Sequence, residues 1–530
     1  MYSLRISVLS ALVLSRLASG VAVKRPGAKK DVVLNIVNTH LAPDGFERSM
    51  ITANGTYPGP LITAIKGETL SITVNNQLTD PTMRRSTSLD FDGIFFNTSN
   101  AYDEGTPFVT TCPIAPNTRY TYDVPLGDQT GTFWYHSQLS VQYVDGLRGP
   151  LIIYDPEDPL AHLYDVDDES TVRDHWHNST LPMLAGYEAT GIVPVSDSGT
   201  VNGAGRFNGG PAVPFAVTHV TPGKRYRLRL INESARNVFT VSIDDHNLTI
   251  IETDGVATKP LVVDQLELLA GQRYSVILHA DKPVGNYWIN APFVGGNPAR
   301  NLNQNSTLSR GILRYAGARA DDPETPMTAG PQNAVVLNEA NLRPLIAQPP
   351  PPADVNITLN LAVTAGKAQW NVNNVSYLPP QTPTLIKILD GATDDADFNI
   401  TENTFILPAH KTIQVDFPPN DDDEAHPFHL HGNNFWVIKS NSSEVVNTVD
   451  PIIRDVAGVG AAGTTLRYRS LRINFDSSPW FFHCHIFWHR QAGLATVMAS
   501  GTDEVRADLH PDGSWSSLCP AYEALPAELQ

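Results

Sequence analysis

The chain has 530 residues, which is too long for one compact core and long enough for two to four domains. It contains 37 Lys and Arg against 55 Asp and Glu, a formal net charge of −18 that argues against nucleic acid and anionic membrane surfaces as partners. With 41% hydrophobic and 17% charged residues, the composition is that of a folded chain and excludes a disordered one.

The first segment is typical of a secretory signal peptide. Residues 1–22 contain a basic start that ends at Arg5, an apolar stretch from Ile6 to Leu17, and small residues at a cleavage site. Ten N-x-Ser/Thr sequons in the rest of the chain agree with a secretory route. We therefore expect a secreted protein. No other apolar run is long, so we expect no transmembrane helix in the mature chain.

Most of the remaining chain has the pattern of short β-strands. Apolar and polar residues alternate at residues 70–78, 225–232, 273–280 and 412–417. We interpret residues 155–200 as a loop-rich bridge between two domains, and the proline-rich residues 348–353 as a stiff connector. These features predict β domains at residues 31–155, 156–330 and 354–500, followed by a C-terminal tail at residues 501–530.

Two histidines in the sequence DHWH, His175 and His177, have a spacing that could suggest a metal-binding pair. They fall in the acidic stretch that we interpret as loop-rich. This context favours surface histidines over ligands.

Six of the 16 histidines fall in two short segments, HPFHLH at residues 426–431 and HCHIFWH at residues 483–489. In a strand, residues i and i+2 point to one face and residue i+1 to the other. His483 and His485 therefore share a face, while Cys484 points the opposite way. The same parity separates His426 from the other two histidines of the first segment. The pattern predicts two metal centres on opposite faces of one strand.

One face would carry Cys484, His426 and His489, a thiolate and two imidazoles, which is the ligand set of a blue copper site. Leu494 stands where an axial methionine would be expected, and a non-ligating residue there should raise the reduction potential. The other face would carry a multinuclear site, for which imidazole suits copper. Its histidines are His429, His431, His483 and His485.

The chain has three cysteines, so in a secreted protein one of them stays outside a disulfide. Cys484 lies between two histidines, and we assign it to the metal. Cys112 and Cys519 are then expected to form a disulfide, which would tie the early chain to its C-terminal tail and close a very long loop.

From about residue 31 to residue 525, the chain resembles the fungal laccases of the multicopper oxidase family. The resemblance rests on GTFWYHSQLSVQYVDGLRGP (131–150), VNGAGRFNGGP (201–211), HPFHLHG (426–432), PWFFHCHIFWH (479–489) and SLCPAY (517–522). It implies an all-β fold of three cupredoxin-like Greek-key domains, each a β-sandwich or barrel. It also implies that phenols are oxidised at a type 1 copper, and that electrons pass along the His-Cys-His segment to a copper cluster that reduces oxygen to water.

The resemblance carries over to individual residues. It implies that His426, Cys484 and His489 bind the type 1 copper, and that the substrate's electron enters at His489. It assigns His429 to a type 2 copper. The ligands that it assigns to the type 3 pair are His136, His431, His483 and His485.

The sequence departs from the family at three of the eight histidines that the cluster normally needs. Asp90 stands at a type 2 position, and Asp92 and Gln138 stand at the two type 3 positions. Two alternatives remain open. The cluster could bind metal with mixed ligands, although carboxylate and amide oxygens are hard donors that hold Cu(I) poorly. Alternatively, the cluster is empty. We favour impaired or lost oxygen reduction.

Two further positions concern the substrate and the proton supply. Arg236 stands where fungal laccases often carry an acidic residue against the phenol. A guanidinium cannot accept a phenolic proton, so this residue favours an acidic substrate. Glu104 aligns with a family acid that could preserve a proton donor.

We expect a secreted, monomeric, laccase-like copper oxidoreductase that oxidises small phenolic or related aromatic substrates, with oxygen as acceptor if the cluster is loaded. No nucleic acid or membrane partner is expected. The alternative is a catalytically inactive cupredoxin scaffold that binds copper or an aromatic ligand without turnover.

Overall fold

The computed structural model describes residues 27–326, 334–420, 424–469 and 477–529. The predicted signal peptide at residues 1–22 lies outside this part of the chain. Within it, no helix combines the length and the apolar character that crossing a membrane requires.

The N-terminal strands form two sheets that pack on each other, with strand orders β2-β1-β4-β6 and β3-β8-β7-β5. Strand β6 shows why these segments are strands, since Tyr120 and Tyr122 point into the core while Arg119 and Thr121 point to solvent. The strands are β1 (Lys29–Leu41), β2 (Arg48–Ala53), β3 (Ile62–Ile65), β4 (Thr69–Asn76), β5 (Asp90–Asp92), β6 (Arg119–Pro125), β7 (Gly131–His136) and β8 (Arg148–Tyr154).

The middle of the chain forms sheets of order β11-β10-β9-β13-β18-β15-β16 and β12-β21-β19-β14-β17, with β20 paired to β14. One helix, α1 (Thr180–Thr190), lies between β9 and β10. The strands are β9 (Val166–His175), β10 (Ser198–Val201), β11 (Ala204–Arg206), β12 (Val217–Val220), β13 (Arg225–Asn232), β14 (Val238–Ile243), β15 (Leu248–Thr253), β16 (Val256–Val263), β17 (Gln265–Leu268), β18 (Arg273–His279), β19 (Asn286–Asn290), β20 (Phe293–Val294) and β21 (Arg310–Tyr315).

The C-terminal part forms sheets of order β22-β26-β31-β28-β29 and β25-β33-β32-β27-β30, and a small pair β23-β24. The strands are β22 (Val355–Thr358), β23 (Leu361–Val363), β24 (Trp370–Val372), β25 (Thr404–Leu407), β26 (Ile413–Phe417), β27 (His426–Leu430), β28 (Phe435–Lys439), β29 (Ile453–Arg454), β30 (Val456–Val459), β31 (Thr464–Tyr468), β32 (Pro479–Cys484) and β33 (Ala495–Ser500). The helices are α2 (Thr384–Leu389), α3 (Phe487–Gln491), α4 (Thr502–Asp508), α5 (Gly513–Ser516) and α6 (Leu518–Glu523).

The all-β fold class predicted from the sequence is confirmed. The four strands predicted from alternation coincide with β4, β13, β18 and β26 to within two residues at each end. The proline-rich residues 348–353 contain no strand or helix and lead into β22, as predicted.

The interpretation of residues 155–200 as loop-rich is wrong, because this stretch contains β9, α1 and β10. Strand β9 lies inside a sheet, between β10 and β13. The charged residues of β9 suggested a solvent-exposed loop. They are buried instead, because oppositely charged partners from distant parts of the chain stabilise them. Arg173 pairs with Glu233, and Asp174 accepts from Arg148 at 3.0 Å.

The interpretation of His175 and His177 as surface histidines is wrong for the same reason. His175 ends β9 and is 2% exposed, and His177 is 8% exposed. Both side chains face Asp44, in the connection between β1 and β2.

The C-terminal tail folds back onto the N-terminal sheets. The expected disulfide between Cys112 and Cys519 is present, with Cα atoms 5.0 Å apart and 407 residues of sequence separation. The indole of Trp515, in α5, donates a hydrogen bond to the carbonyl of Thr110 at 3.2 Å. A disulfide and a hydrogen bond therefore attach the C-terminal tail to the N-terminal domain.

Candidate metal centres

The His-Cys-His segment lies where β32 pairs with β27 in an antiparallel register. Cys484 stands opposite Phe428, and His483 stands opposite His429. Directly opposed residues share a face of the sheet, so the imidazoles of His429 and His483 lie on one face and the thiol of Cys484 on the other. The register thus produces the two-faced arrangement predicted from the sequence parity.

On the thiol face, His426, Cys484 and His489 form a group of buried side chains whose ligand atoms all lie within 4.8 Å of one another. The Nδ1 atom of His426 is 3.7 Å from the Sγ atom of Cys484 and 3.3 Å from the Nδ1 atom of His489. His426 begins β27, Cys484 ends β32 and His489 belongs to α3. Burial raises the pKa of the Cys484 thiol well above its usual value.

Apolar side chains enclose this group. The indole of Trp370 packs against the rings of His426 and His489, with centroids 4.8 and 4.5 Å apart. Leu494 is fully buried, and its carbonyl accepts a hydrogen bond from the amide of Cys484 at 3.1 Å. The side chain of Leu494 is hydrocarbon and has no sulfur or oxygen donor of its own.

On the opposite face, Asp92 lies among three imidazoles. Its Oδ1 atom is 3.1 Å from Nε2 of His136 and 3.6 Å from Nε2 of His429, and its Oδ2 atom is 2.9 Å from Nε2 of His485. The backbone of Gly271 packs closely against the ring of His485 and helps to hold it in this position. Only glycine leaves room for the ring, because a Cβ atom at position 271 would lie 2.6 Å from it. Asp92, His136 and His485 thus converge in a geometry that could hold a metal ion.

Gln138 forms a second group with His431 and His483. Its Nε2 atom is 3.2 Å from Nε2 of His431 and 3.0 Å from Nε2 of His483, and these two imidazole nitrogens are 2.9 Å apart. The amide oxygen of Gln138 is buried and has no hydrogen-bond partner among the described residues. The backbone carbonyl of Gln138 accepts from Arg490 at 3.0 Å, which fixes this loop against α3.

Asp90 does not lie against His429, the other residue that the sequence analysis assigned to type 2 copper. Its Oδ2 atom is 3.7 Å from Nδ1 of His431 and 4.0 Å from Nε2 of His136. Glu104 is also buried and hydrogen-bonds to the ring of His431. Residues Asp90, Glu104 and His431 form another buried group that could hold a cation.

The two substituted carboxyl groups have opposite electrostatic environments. Burial, Glu104 and Asp92 raise the pKa of Asp90 well above its usual range, which favours the protonated acid. Burial acts in the same direction on Asp92, but His429, His136 and His485 outweigh it and hold its pKa well below the usual range. Asp92 is therefore the carboxylate that carries the negative charge inside the imidazole group.

Arg236 lies beside the thiol-face group but does not present a free charge. Its guanidinium is 3.2 Å from a carboxylate oxygen of Glu424, and it donates a hydrogen bond to the carbonyl of Pro194 at 2.8 Å. Glu424 lies two residues before His426 and its side chain is 26% exposed. This ion pair was missed in the sequence analysis, because nothing in the sequence brings residues 236 and 424 together.

An open pocket of about 140 Å³ extends from outside to Gln138. Its lining includes Gln138, Ser140, Tyr377, Arg490 and Tyr522. Tyr522 belongs to α6, so the C-terminal tail forms part of this approach.

Three family models described as multicopper oxidase match the chain, at residues 35–158, 169–318 and 377–504. Among curated proteins, the chain is 58% identical to Laccase-like protein claX of Ampulloclitocybe clavipes, over 73% of this chain and 97% of that protein. It is 45% identical to Laccase-1 of Agaricus bisporus, over 94% of this chain and 95% of that protein.

The fold is that of solved multicopper oxidases. A crystal structure of laccase from Botrytis aclada superposes with a TM-score of 0.80 at 30% identity, covering 95% of this chain and 93% of that one. Fet3p, described as a multicopper oxidase that functions in iron import, superposes with a TM-score of 0.81 at 26% identity, over 93% of this chain and 95% of that one. The expected cupredoxin-like fold is thereby confirmed, and the chain belongs to the multicopper oxidase family as a fungal laccase-like copper oxidoreductase.

Proposed function

We propose that the protein is a secreted oxidoreductase that takes single electrons from phenolic or related aromatic compounds, with oxygen as the acceptor and with an impaired oxygen-reducing cluster. The observation that carries this proposal is the buried group of His426, Cys484 and His489, whose ligand atoms lie within 4.8 Å of one another. A thiolate and two imidazoles are the ligand set of a blue copper site. Copper bound there would supply reversible one-electron chemistry.

The surrounding residues fit that role. Leu494 supplies no axial ligand, which favours a high reduction potential and hence a strong oxidant. Trp370 packs on both imidazoles and keeps water away from them. We assign the entry of the substrate's electron to His489 and its onward path to Cys484, whose neighbours His483 and His485 lie on the cluster face.

The Arg236–Glu424 ion pair supports a neutral phenol over the acidic substrate expected from the sequence. Glu424 already balances the charge of Arg236, so little attraction for a substrate anion remains. A phenol that loses an electron also releases its proton, and the partly exposed carboxylate of Glu424 can accept it. Glu424 would thus supply the acid that the family carries at position 236.

The residues on the cluster face fit metal binding better than they fit oxygen reduction. Asp92 with His136 and His485 offers a mixed carboxylate and imidazole set. The buried Oδ2 of Asp90 and Oε1 of Gln138 have no hydrogen-bond partner among the described residues, so both could act as ligands. Hard oxygen donors stabilise Cu(II) over Cu(I), which disfavours a cluster that must cycle between them.

A second candidate is a scaffold protein that binds copper or an aromatic ligand without turnover. The same three replaced ligands favour it. In both cases we propose a monomer without nucleic acid or membrane partners. Secretion is supported by the N-terminal apolar segment and by the Cys112–Cys519 disulfide, because such bonds persist in oxidising compartments.

Metal content and oxygen uptake test the proposal on the purified full chain. We expect blue thiolate absorption that is lost in Cys484→Ser, and slow oxygen uptake with a phenol. The triple variant Asp90→His, Asp92→His, Gln138→His should raise oxygen uptake by at least about tenfold, because it restores the soft imidazole donors.

The matched control is Asp90→Asn, Asp92→Asn, Gln138→Asn, which changes the same positions without adding imidazole. Four copper ions per chain in the unaltered protein, with rapid oxygen uptake that the histidine variant does not raise, would show that the cluster is not impaired. One copper ion or none per chain after copper loading, together with no oxygen uptake, would favour the scaffold protein.

A further inference from the structure

A group of ligand-type side chains lies apart from the His-Cys-His region. Asp44 belongs to the connection between β1 and β2, His175 ends β9, and His177 follows two residues later. All three are buried, and their ligand atoms lie within 4.8 Å of one another. None of them contributes to the two faces described above.

The carboxylate of Asp44 lies between the two imidazoles. Its Oδ2 atom is 2.8 Å from Nε2 of His177, and its Oδ1 atom is 3.8 Å from Nε2 of His175. The Nε2 atom of His175 is buried and has no hydrogen-bond partner among the described residues. A buried polar atom without a partner is destabilising, and this one points towards a carboxylate that is too far away for a hydrogen bond.

A second layer of side chains orients the three ligands. The Nδ1 atom of His177 is 3.5 Å from a carboxylate oxygen of Asp197, and the hydroxyl of Ser198 donates to Asp44 at 2.6 Å. The ring of Phe46 stacks on His177 at 4.0 Å. Histidines that bind metal commonly place their second ring nitrogen against a carboxylate, which fixes the tautomer. Asp197 has that position here.

The buried carboxylates around the two histidines also favour the binding of a cation. Asp44 is fully buried and Asp197 is 5% exposed. Within the described ranges, the ion pairs of both residues are formed with histidine, and none is formed with lysine or arginine. Buried carboxylates need a positive partner, and a divalent ion between Asp44 and the two imidazoles would supply it.

We propose that Asp44, His175 and His177 bind a divalent transition-metal ion that is separate from the copper centres. Two neutral imidazoles and one carboxylate form a zinc ligand set, with a fourth position for water. Asp44 lies in the first family-model segment and both histidines in the second, so the ion joins the two domains. Its role is structural. Cu²⁺ shares these ligand preferences, and the metal analysis below distinguishes the two ions.

The test compares the full chain with His175→Leu, which removes the unpartnered nitrogen and keeps the volume. The control is His219→Leu, an exposed histidine on β12. Each protein is stripped with a chelator, dialysed against zinc alone or copper alone, and analysed for metal per chain and for thermal midpoint. We expect one fewer ion in His175→Leu than in the other two proteins. We also expect the ion to raise the midpoint by about 5 °C in those two proteins alone.

Equal metal content and equal midpoint shifts in all three proteins would overturn the proposal. Since His175→Leu could fail to fold, anomalous scattering at the zinc edge from zinc-soaked crystals of the unaltered protein gives an independent answer. A peak between Asp44, His175 and His177 supports the site. A direct hydrogen bond from His177 to Asp44 without such a peak overturns it.

Discussion

At the scale of single residues, the ion pair of Arg236 and Glu424 places a carboxylate from another segment of the chain beside position 236. The guanidinium at position 236 cannot accept a proton, but it holds the carboxylate of Glu424 near the thiol of Cys484. The acid is supplied from a different segment of the chain, two residues before His426. We propose that this residue, 188 positions away in the chain, compensates for the substitution at position 236.

We predict that Glu424→Gln slows the oxidation of phenols by about tenfold while hardly affecting a proton-free inorganic electron donor, because the amide cannot accept the phenolic proton. The measurement is the rate at which each donor bleaches the blue absorption without oxygen, so the state of the cluster does not matter. Glu444→Gln is the control, since the Glu444 side chain is 81% exposed. An equal loss with both donors would indicate a structural effect and contradict a proton-accepting role.

The candidate ligands within β27, β32 and α3 could be predicted from the sequence because they are close together in the chain. Strand parity alone separates Cys484 from its neighbours His483 and His485. Partners from other segments of the chain could not be found in this way. Asp455, whose carbonyl is 3.0 Å from Nδ1 of His429, and Asp44 beside His175 carry no local pattern. The position of Asp455 depends on the pairing of β27 with β30, and that of Asp44 on how the first two domains pack.

At the scale of elements, β9 shows the limit of composition as a guide to burial. The sequence VDDESTVRDH has the charge density of a loop, yet it forms an internal strand. Each buried charge on it has an opposite charge on a neighbouring strand or loop, as in the pairs Arg173–Glu233 and Asp174–Arg148. Hydrophobic alternation located β13 and β18, along most of which every second residue is aliphatic or aromatic, but ion pairing across a sheet leaves no such periodic signal.

A buried carboxyl group packed against β6 should make stability depend on pH: it belongs to Asp103, in the helical turn at Ala101–Asp103. The hydroxyl of Tyr120 donates to Asp103 at 2.5 Å, and burial raises the pKa of Asp103 to about 7. In the unfolded chain this group ionises near pH 4. The folded state therefore keeps a proton that the unfolded state has lost, and stability falls as the pH rises from about 4 to 7.

We predict that Asp103→Asn removes this dependence. Relative to the unaltered protein, the variant should gain stability between pH 4 and pH 7, by at most about 4 kcal/mol, and the difference should stay constant above pH 7. Thermal midpoints across this range provide the measurement. The control is Asp128→Asn at an exposed position. Parallel curves for the unaltered protein and Asp103→Asn would contradict the assignment.

At the scale of the whole molecule, buried ion pairs join the middle and C-terminal domains. The guanidinium of Arg273 forms two hydrogen bonds with the carboxylate of Asp455, at 2.5 and 2.6 Å. Arg454 donates to both oxygens of Asp254, at 2.8 and 3.2 Å. The backbone of the N-terminal domain also packs here, since a Cβ atom added at Gly93 would clash with Asp455 at 2.6 Å. All three domains therefore meet around one carboxylate.

That carboxylate connects the interface to the cluster face. Asp455 lies against Nδ1 of His429 through its carbonyl at 3.0 Å and its carboxylate at 3.4 Å, and Nε2 of His429 faces Asp92 at 3.6 Å. We infer that Arg273 positions His429 by fixing Asp455, although it touches none of the candidate ligands. Interface stability and metal retention on the cluster face should therefore change together.

We predict that Arg273→Met lowers stability by about 3–5 kcal/mol, because it leaves Asp455 buried without its charged partner. It should also lower the metal content of the cluster face while leaving the blue absorption of the Cys484 group intact. Thermal midpoint, copper per chain and the absorption spectrum are measured together. The matched control is Arg225→Met, whose ion pair with Asp165 is partly exposed to solvent and should contribute little to stability. If Arg273→Met loses stability but keeps its full metal content, then Arg273 supports the domain interface alone and has no role in positioning His429.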